Sequence, residues 1–301
     1  MKIFVTGGSG FIGRHLCWAL AKDGHSVTVG DMRNPLINGV DFVPIDIMRP
    51  ETIPNLRGYN AVVHLAAVLG VANSEKNPRM TLDVNIDGTR NILNSCMEGE
   101  VDRFLFTSSS EVYGEPAKTP IREDDFFNPV SPYGVSKITG EEYVKVVSKT
   151  CGMKYNIFRL FSVYGPGQSP EFVVPRFVQM AMKNKPLTVH GSGAQTRAFC
   201  YVSDVVDAMV LGLKSPLNEV FNIGNSSEPV TIEKLAKKVI DVTESASEVE
   251  FVKEEDSGRG RKRDIYHRVP DTGKAENMLG FRAKVRLEEG ISRLTDSMRG
   301  S

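Results

Sequence analysis

Short apolar runs that alternate with helical stretches constrain this chain more than any other feature. Residues 3–6, 27–30, 62–65, 104–107 and 155–160 are rich in β-branched and aromatic side chains and show no polar face. Strands of that kind are buried on both sides, and strands separated by helices pair in parallel because each connection returns the chain to the same edge. Residues 11–22, 80–97 and 132–150 carry helical periodicity and good helix formers, as crossover helices do. The expected fold class is α/β, a doubly wound parallel sheet.

The first strand runs directly into Thr6-Gly7-Gly8-Ser9-Gly10-Phe11-Ile12-Gly13. Glycines at 7, 10 and 13 permit a tight turn and bring the backbone close to a pyrophosphate at the helix N-terminus, where free N–H groups favour negative charge. Asp31 ends the second strand about twenty residues on, placed to accept hydrogen bonds from the adenosine ribose hydroxyls. Its charge repels a ribose phosphate, so NAD is expected rather than NADP, on a Rossmann-type sheet. Gly7, Gly10, Phe11, Ile12, Gly13 and Asp31 form the expected cofactor set. Asp46 and Ile47, after the third strand, are adenine contacts or a simple turn. Leu65, Ala66 and Ala67 end another strand at the same edge, where small residues let the backbone pass close to a cofactor. His64 before them is equally readable as structural or functional.

Past residue 165 the pattern loosens. Tyr164-Gly165-Pro166-Gly167 is a turn cluster, and glycines at 191, 193 and 224 interrupt shorter elements. Helices are expected at 175–183, 203–214 and 231–242, the last opened by Thr231 as a cap. Residues 1–165 are expected to form the dinucleotide-binding domain. Residues 166–301 then make a smaller mixed α/β lobe, with some chain returning to the sheet. The charge-rich segment 253–263 is a solvated loop or a binding segment.

Lys plus Arg and Asp plus Glu both number 37, so nothing in the overall balance calls for nucleic acid or an anionic membrane, and anion binding has to be local. Cys17, Cys96, Cys151 and Cys200 lack paired spacing, and the five histidines are scattered, so neither a disulfide framework nor a metal site is expected. Met1 leads into an apolar run too short for a signal peptide, and no stretch reaches the length of a membrane span. A cytoplasmic location is the expectation.

Tyr133-Gly134-Val135-Ser136-Lys137 puts tyrosine and lysine four apart on one helical face, after Ser108-Ser109-Ser110 at the end of a strand. An ordinary tyrosine, with a pKa near ~10, is a poor base at neutral pH; an adjacent ammonium and a cationic nicotinamide ring stabilise its phenolate. Tyr133 can then take a hydroxyl proton, Lys137 orients the nicotinamide ribose, and Ser109 hydrogen-bonds the reacting oxygen.

With the glycine motif, this constellation resembles the extended short-chain dehydrogenase/reductase family, in its nucleotide-sugar epimerase, dehydratase and decarboxylase group. The resemblance covers nearly the whole chain. It includes Asn85 in Val84-Asn85-Ile86-Asp87-Gly88-Thr89, the stretch from Arg159 to Pro166, Gln195-Thr196-Arg197-Ala198-Phe199 and Phe221-Asn222-Ile223-Gly224. It implies an NAD-dependent enzyme passing through a 4-keto sugar, a nucleotide-sugar substrate, UDP-linked, and a homodimer packed through residues 88–97 and 132–150. It also implies that Arg197 and Arg261 meet the diphosphate, that Ser110 and Ser162 line the sugar site, and that Glu111 acts in catalysis. Relatives carry asparagine where this chain has Ser162, which shortens that side chain's reach. Arg268 falls where decarboxylases place an arginine and would pair with a uronate.

Three reactions remain open. Epimerisation is favoured, with UDP-glucuronate left open as its substrate: Val68-Leu69-Gly70-Val71 resembles epimerases, whereas Glu111 stands where dehydratases and decarboxylases carry an acid and Arg268 points to UDP-glucuronate, the substrate of a decarboxylase. A 4,6-dehydratase is the third, although Ser110 stands where dehydratases carry an acid. A non-catalytic NAD-binding scaffold or sensor is the reading from another class, and it has no need of Ser109, Tyr133 and Lys137 together.

Overall fold

The structure is a computed structural model and describes residues 1–69, 71–215, 217–253 and 265–300. The first half runs β1 (Lys2–Thr6), α1 (Phe11–Lys22), β2 (Ser26–Asp31), β3 (Val40–Pro44), β4 (Ala61–His64), α2 (Val71–Lys76), α3 (Pro78–Glu98), β5 (Arg103–Ser109), α4 (Pro132–Cys151) and β6 (Lys154–Leu160). The five sequence-predicted strands and three crossover helices are all present, the strand expected at 62–65 ending one residue earlier, at His64. The interiors of β1 (Ile3–Val5) and β4 (Ala61–Val63) are uninterrupted apolar runs, and α4 carries strong terminal signals. Ser131 caps it by accepting from the Gly134 amide at 3.1 Å, with Pro132 in the first turn, and Gly152 ends it at φ +77°.

The second half runs β7 (Val163–Tyr164), α5 (Val173–Ala181), β8 (Leu187–His190), β9 (Thr196–Ala198), β10 (Cys200–Tyr201), α6 (Val202–Lys214) and β11 (Glu219–Ile223). It ends with β12 (Pro229–Thr231), α7 (Ile232–Thr243), β13 (Val249–Val252), β14 (His267–Arg268), α8 (Gly273–Leu279) and α9 (Leu287–Arg299). Thr231 caps α7 by accepting from the Lys234 amide at 3.2 Å.

Seven strands form one parallel sheet in the order β11-β6-β5-β4-β1-β2-β3. This is a Rossmann-type sheet with a mixed α/β C-terminal region. The chain starts in the middle, winds out to β3 and jumps back to β4, so a crevice opens at the carboxyl ends of β1 and β4, where ligands of such sheets bind. Side chains alternate across the sheet. Ile3 and Val5 of β1 pack with Leu16 and Leu20 of α1 and Val205 and Met209 of α6, whereas Phe4 packs with Ile92 and Leu93 of α3 and Val144 of α4. A separate cluster centred on Phe177, Leu187, Leu235, Val239 and Leu294 forms the core of the C-terminal lobe. Among the described residues no helix is long and apolar enough to cross a membrane. All four cysteines are free thiols, and only Cys151 is exposed.

Candidate active site

The loop after β1 is built for close approach. Gly7 has φ +70°, and a Cβ there would sit 2.6 Å from the Ala66 amide nitrogen, so only glycine lets this loop lie against the chain leaving β4. Gly10 caps α1 without any side chain on the free amides of the first turn, and Gly13 lies one turn further in, against Gly8. Those open N–H groups suit a pyrophosphate. Asp31 ends β2 beside the loop. Its Oδ2 accepts from the Ser9 amide at 3.1 Å and its Oδ1 from the Arg33 amide at 3.2 Å, while the Ser9 hydroxyl donates to the Arg33 carbonyl. A carboxylate has about four acceptor sites, so two remain for ribose hydroxyls. Open helix amides and a charged acceptor at the next strand end together fit NAD.

The other sequence-predicted cofactor residues divide. Leu65, Ala66 and Ala67 leave β4 at the crevice and are partly buried. Phe11 and Ile12 pack against the core of the C-terminal lobe, tying α1 to it. Asp46 directs its carboxylate to its own turn, accepting from the Met48 amide at 3.0 Å and pairing with Arg49 at 3.8 Å. Ile47 is buried, and its carbonyl accepts from Asn91 of α3 at 2.9 Å. The Asp46 contacts are those of a turn, whereas Ile47 is held against α3.

Ser109 ends β5 and caps the short 3₁₀ turn Ser110–Tyr113, accepting from the Glu111 amide at 3.2 Å. Across from it, Tyr133 and Lys137 sit one helical turn apart on α4, both buried. The Lys137 ammonium donates to the Thr107 carbonyl at 2.9 Å and stands 5.6 Å from the centre of the Tyr133 ring. Burial brings the Lys137 ammonium down to about 8, with the Glu141 carboxylate acting in the opposite direction. Burial pushes the Tyr133 phenol above its ordinary value, the Glu111 charge adds to that, and a hydrogen bond with Ser109 opposes both. Without a further positive charge, this phenol holds its proton at neutral pH.

Glu111 and Arg268 meet directly, Nη1 to Oε1 at 2.7 Å, with both side chains largely buried. Glu111 Oε2 also accepts from the Ser131 hydroxyl at 3.5 Å, which ties the pair to the start of α4. Arg268 Nε is buried without a hydrogen-bond partner among the described residues. Arg268 and Arg197 are register partners on the paired strands β14 and β9, which puts the two predicted cations side by side. Arg197 Nη1 donates to the carbonyls of Thr196 and Tyr266, at 3.0 and 3.3 Å. Ser110 is buried, and Ser162 is partly buried at φ +34°, a left-handed backbone rare for serine. Arg261 lies outside the described residues.

Behind α4 is a cluster that the sequence reading did not single out as a site. Glu141, fully buried, accepts from Arg159 Nε at 2.9 Å and Nη2 at 2.7 Å, and from the Ser108 hydroxyl at 2.5 Å. Arg159 also donates to the Tyr113 hydroxyl at 2.7 Å. One signal was available, since Glu141 follows Lys137 by four residues and so lies on the same face.

The chain's likenesses agree with this geometry. The family model described as NAD dependent epimerase/dehydratase family matches residues 3–224. A putative UDP-glucose 4-epimerase of Methanocaldococcus jannaschii is 35% identical over 310 residues, covering 99% of both chains. A UDP-N-acetyl-alpha-D-glucosaminuronate decarboxylase of Bacillus cytotoxicus is 34% identical, over 96% of this chain and 95% of that one. Among solved structures, the UDP-glucose 4-epimerase of Thermotoga maritima with UDP-glucose superposes with a TM-score of 0.93 at 33% identity, covering 100% of this chain and 99% of that one.

Proposed function

Because this chain belongs to the NAD-dependent epimerase/dehydratase family, we propose that it is a UDP-sugar 4-epimerase, with UDP-glucuronate as a substrate to be tested beside UDP-glucose. The observation that carries the reading is the buried Lys137 ammonium, fixed on the Thr107 carbonyl beside a Tyr133 phenol that is hydrogen-bonded to Ser109. An arrangement of that kind moves one proton between the enzyme and a hydroxyl, which is the demand that alcohol-to-ketone chemistry makes of a protein.

The α1 amides and Asp31 would hold NAD, which would supply a reversible acceptor and donor of hydride for the carbon that bears the hydroxyl. Ser109 hydrogen-bonds the substrate oxygen, and Tyr133 takes its proton, so that the C–OH becomes C=O. Lys137 stabilises the phenolate form of Tyr133 that takes this proton, by placing a positive charge in a dry site. When the keto sugar has turned, Tyr133 returns the proton as the opposite configuration forms. Arg197 suits the diphosphate, because guanidinium geometry matches phosphate oxygens. The residues from 166 onward act mainly on the nucleotide sugar. Self-association is assigned to the outer face of α3 and α4, where Val135 and Val146 are exposed.

One observation favours a second reading, decarboxylation of UDP-glucuronate. Arg268 keeps a buried Nε next to Glu111 that has no hydrogen-bond partner among the described residues, and a uronate carboxylate would satisfy it. With a ketone at carbon 4, that carboxylate is β to a carbonyl and leaves as carbon dioxide, its bonding electrons passing to the enolate, which an acid then protonates. Incubating the protein with NAD and a panel of UDP-sugars distinguishes the outcomes by mass and by configuration at carbon 4. Unchanged mass with inverted configuration is expected. Loss of 44 mass units, about one carbon dioxide, identifies the decarboxylase, and no conversion of any sugar overturns both readings.

A further inference from the structure

His64 lies at the end of β4, is fully buried and has no role in the proton transfer described above. Its hydrogen bonds determine its tautomer. The Thr89 hydroxyl donates to the Asn85 carbonyl at 2.6 Å, which uses its only proton, so at 3.1 Å from His64 Nε2 it can only accept. Nε2 therefore carries the hydrogen. Nδ1 is then bare in a neutral ring, and at 2.6 Å it accepts the proton of the Thr6 hydroxyl. The environment enforces neutrality: Phe106 is stacked on the ring and Phe104 tilts against it, and burial with the nearby Lys137 charge holds the imidazole down at about 3.

Two routes run from this ring to α4. Thr89 bonds the Asn85 carbonyl, and the Asn85 side chain holds both the amide and the carbonyl of Val68, at 2.7 and 3.2 Å. Its Nδ2 also donates to the Ser136 hydroxyl at 3.0 Å, and Ser136 donates to the carbonyl of Tyr133 at 2.8 Å. On the second route, the Thr107 hydroxyl donates to the His64 carbonyl at 2.8 Å, and the Thr107 carbonyl receives the Lys137 ammonium. In the other direction Thr6 leads straight into Gly7, whose backbone is packed on Leu65 and Ala66.

We propose that His64 is a positioning residue that holds the glycine loop and the α4 pair Tyr133 and Lys137 in one register, through Thr6 on one side and Thr89, Asn85 and Thr107 on the other. This rests on the reading of Tyr133 and Lys137 as the reacting pair. Its reach is toward both ligands: the loop binds cofactor and α4 does the proton work, so a single rigid link keeps the two aligned.

Two measurements test it. In ¹⁵N-histidine-labelled protein, with the signal assigned by its loss in His64→Gln, His64 should show Nε2–H and a bare Nδ1, unchanged from pH 5 to pH 9. An Nδ1–H tautomer, or titration within that range, overturns the proposal. Thr6→Val and Thr89→Val each remove one partner of the ring while keeping side-chain shape. Each should raise the NAD dissociation constant about tenfold and lower kcat with KM for the sugar unchanged, and the double variant should be little worse than the worse single one, as a shared link requires. If Thr89→Val leaves NAD affinity intact, or the two effects multiply independently, His64 links nothing. Tyr133→Phe, assayed in parallel, separates the two ideas. Full turnover in that variant sinks the proton-transfer reading, whereas the tautomer and the NAD titrations still judge the link.

Discussion

Arg268 Nη1 lies 2.7 Å from Glu111 Oε1, and the same carboxylate raises the pKa of the Tyr133 phenol, so the cation expected to meet substrate also neutralises the acid beside the proposed proton-transfer residue. Removing Arg268 then has two consequences. A uronate loses its partner, and Glu111 is left buried beside Tyr133 without compensation.

Arg268→Ala should therefore weaken binding of UDP-glucuronate far more than that of UDP-glucose, by on the order of 2–5 kcal/mol if the uronate pair is desolvated. It should also slow turnover of both sugars. Calorimetric titration with each sugar checks the ratio; equal losses for the two would remove Arg268 from the uronate site.

Tyr133→Phe should retain the fold and NAD binding and cost at least ~10²-fold in kcat, the usual scale for a general acid or base. Steady-state kinetics on the variant, with NAD affinity measured alongside, is the check. Wild-type turnover would show that another group moves the proton.

Much of this site was legible because its parts are local in sequence. The glycine loop, Asp31 at a strand end, and Tyr133 and Lys137 at one-turn spacing each follow from periodicity and turn chemistry. What escaped depends on contacts between distant segments. Nothing near Arg268 in the chain reveals Glu111, because the pair forms only where β14 comes to lie against the 3₁₀ turn after β5. A carboxylate after a strand, such as Asp46, is ambiguous in sequence between an adenine contact and a turn acid, and the structure adds that its Oδ1 accepts from the Met48 amide. The Glu141–Arg159 pair joins α4 to β6, a connection invisible to any window of sequence.

Asp31 braces the glycine loop and is proposed to face the ribose as well, so the two substitutions at that position should differ. Asp31→Ala loses both the Ser9 and Arg33 amide contacts and should weaken NAD binding and reduce discrimination against NADP together. Asp31→Asn keeps one acceptor for the Ser9 amide but loses the charge, so discrimination should fall more than NAD affinity does. Titrating both cofactors against both variants decides this, and parallel losses in the two would mean that the brace contributes nothing.

Glu141 and Arg159 form a buried, two-pronged ion pair. Arg159→Met alone strands the Glu141 carboxylate and should cost about 3–5 kcal/mol of unfolding free energy in urea, whereas the double variant Glu141→Gln, Arg159→Met should cost clearly less than the sum of the singles. Simple additivity would show that the pair does not act as a unit.

Lys137 gives the protein a pH dependence whose sign can be worked out. Its folded pKa is depressed to about 8 by burial, below the ordinary lysine value of 10.5, so between those values the unfolded chain binds the proton and the folded chain does not. Where the unfolded state binds more protons, stability rises with pH. The cost of keeping Lys137 charged in a dry site is thus fully present below pH 8 and is relieved as pH climbs toward 10.5. Tyr133 acts oppositely but later: its raised phenol makes the folded state hold a proton that the unfolded state releases, so stability falls above pH 10. Other groups also titrate, and subtracting a variant isolates this one. The difference in unfolding free energy between wild type and Lys137→Met, measured in urea from pH 7.5 to pH 10, should shift in favour of wild type as pH rises, at no more than about 1.4 kcal/mol per pH unit for a single proton. A flat difference, or one that moves against wild type with rising pH, would mean that Lys137 keeps an ordinary affinity for its proton, and the charged, desolvated ammonium beside Tyr133 would have to be abandoned.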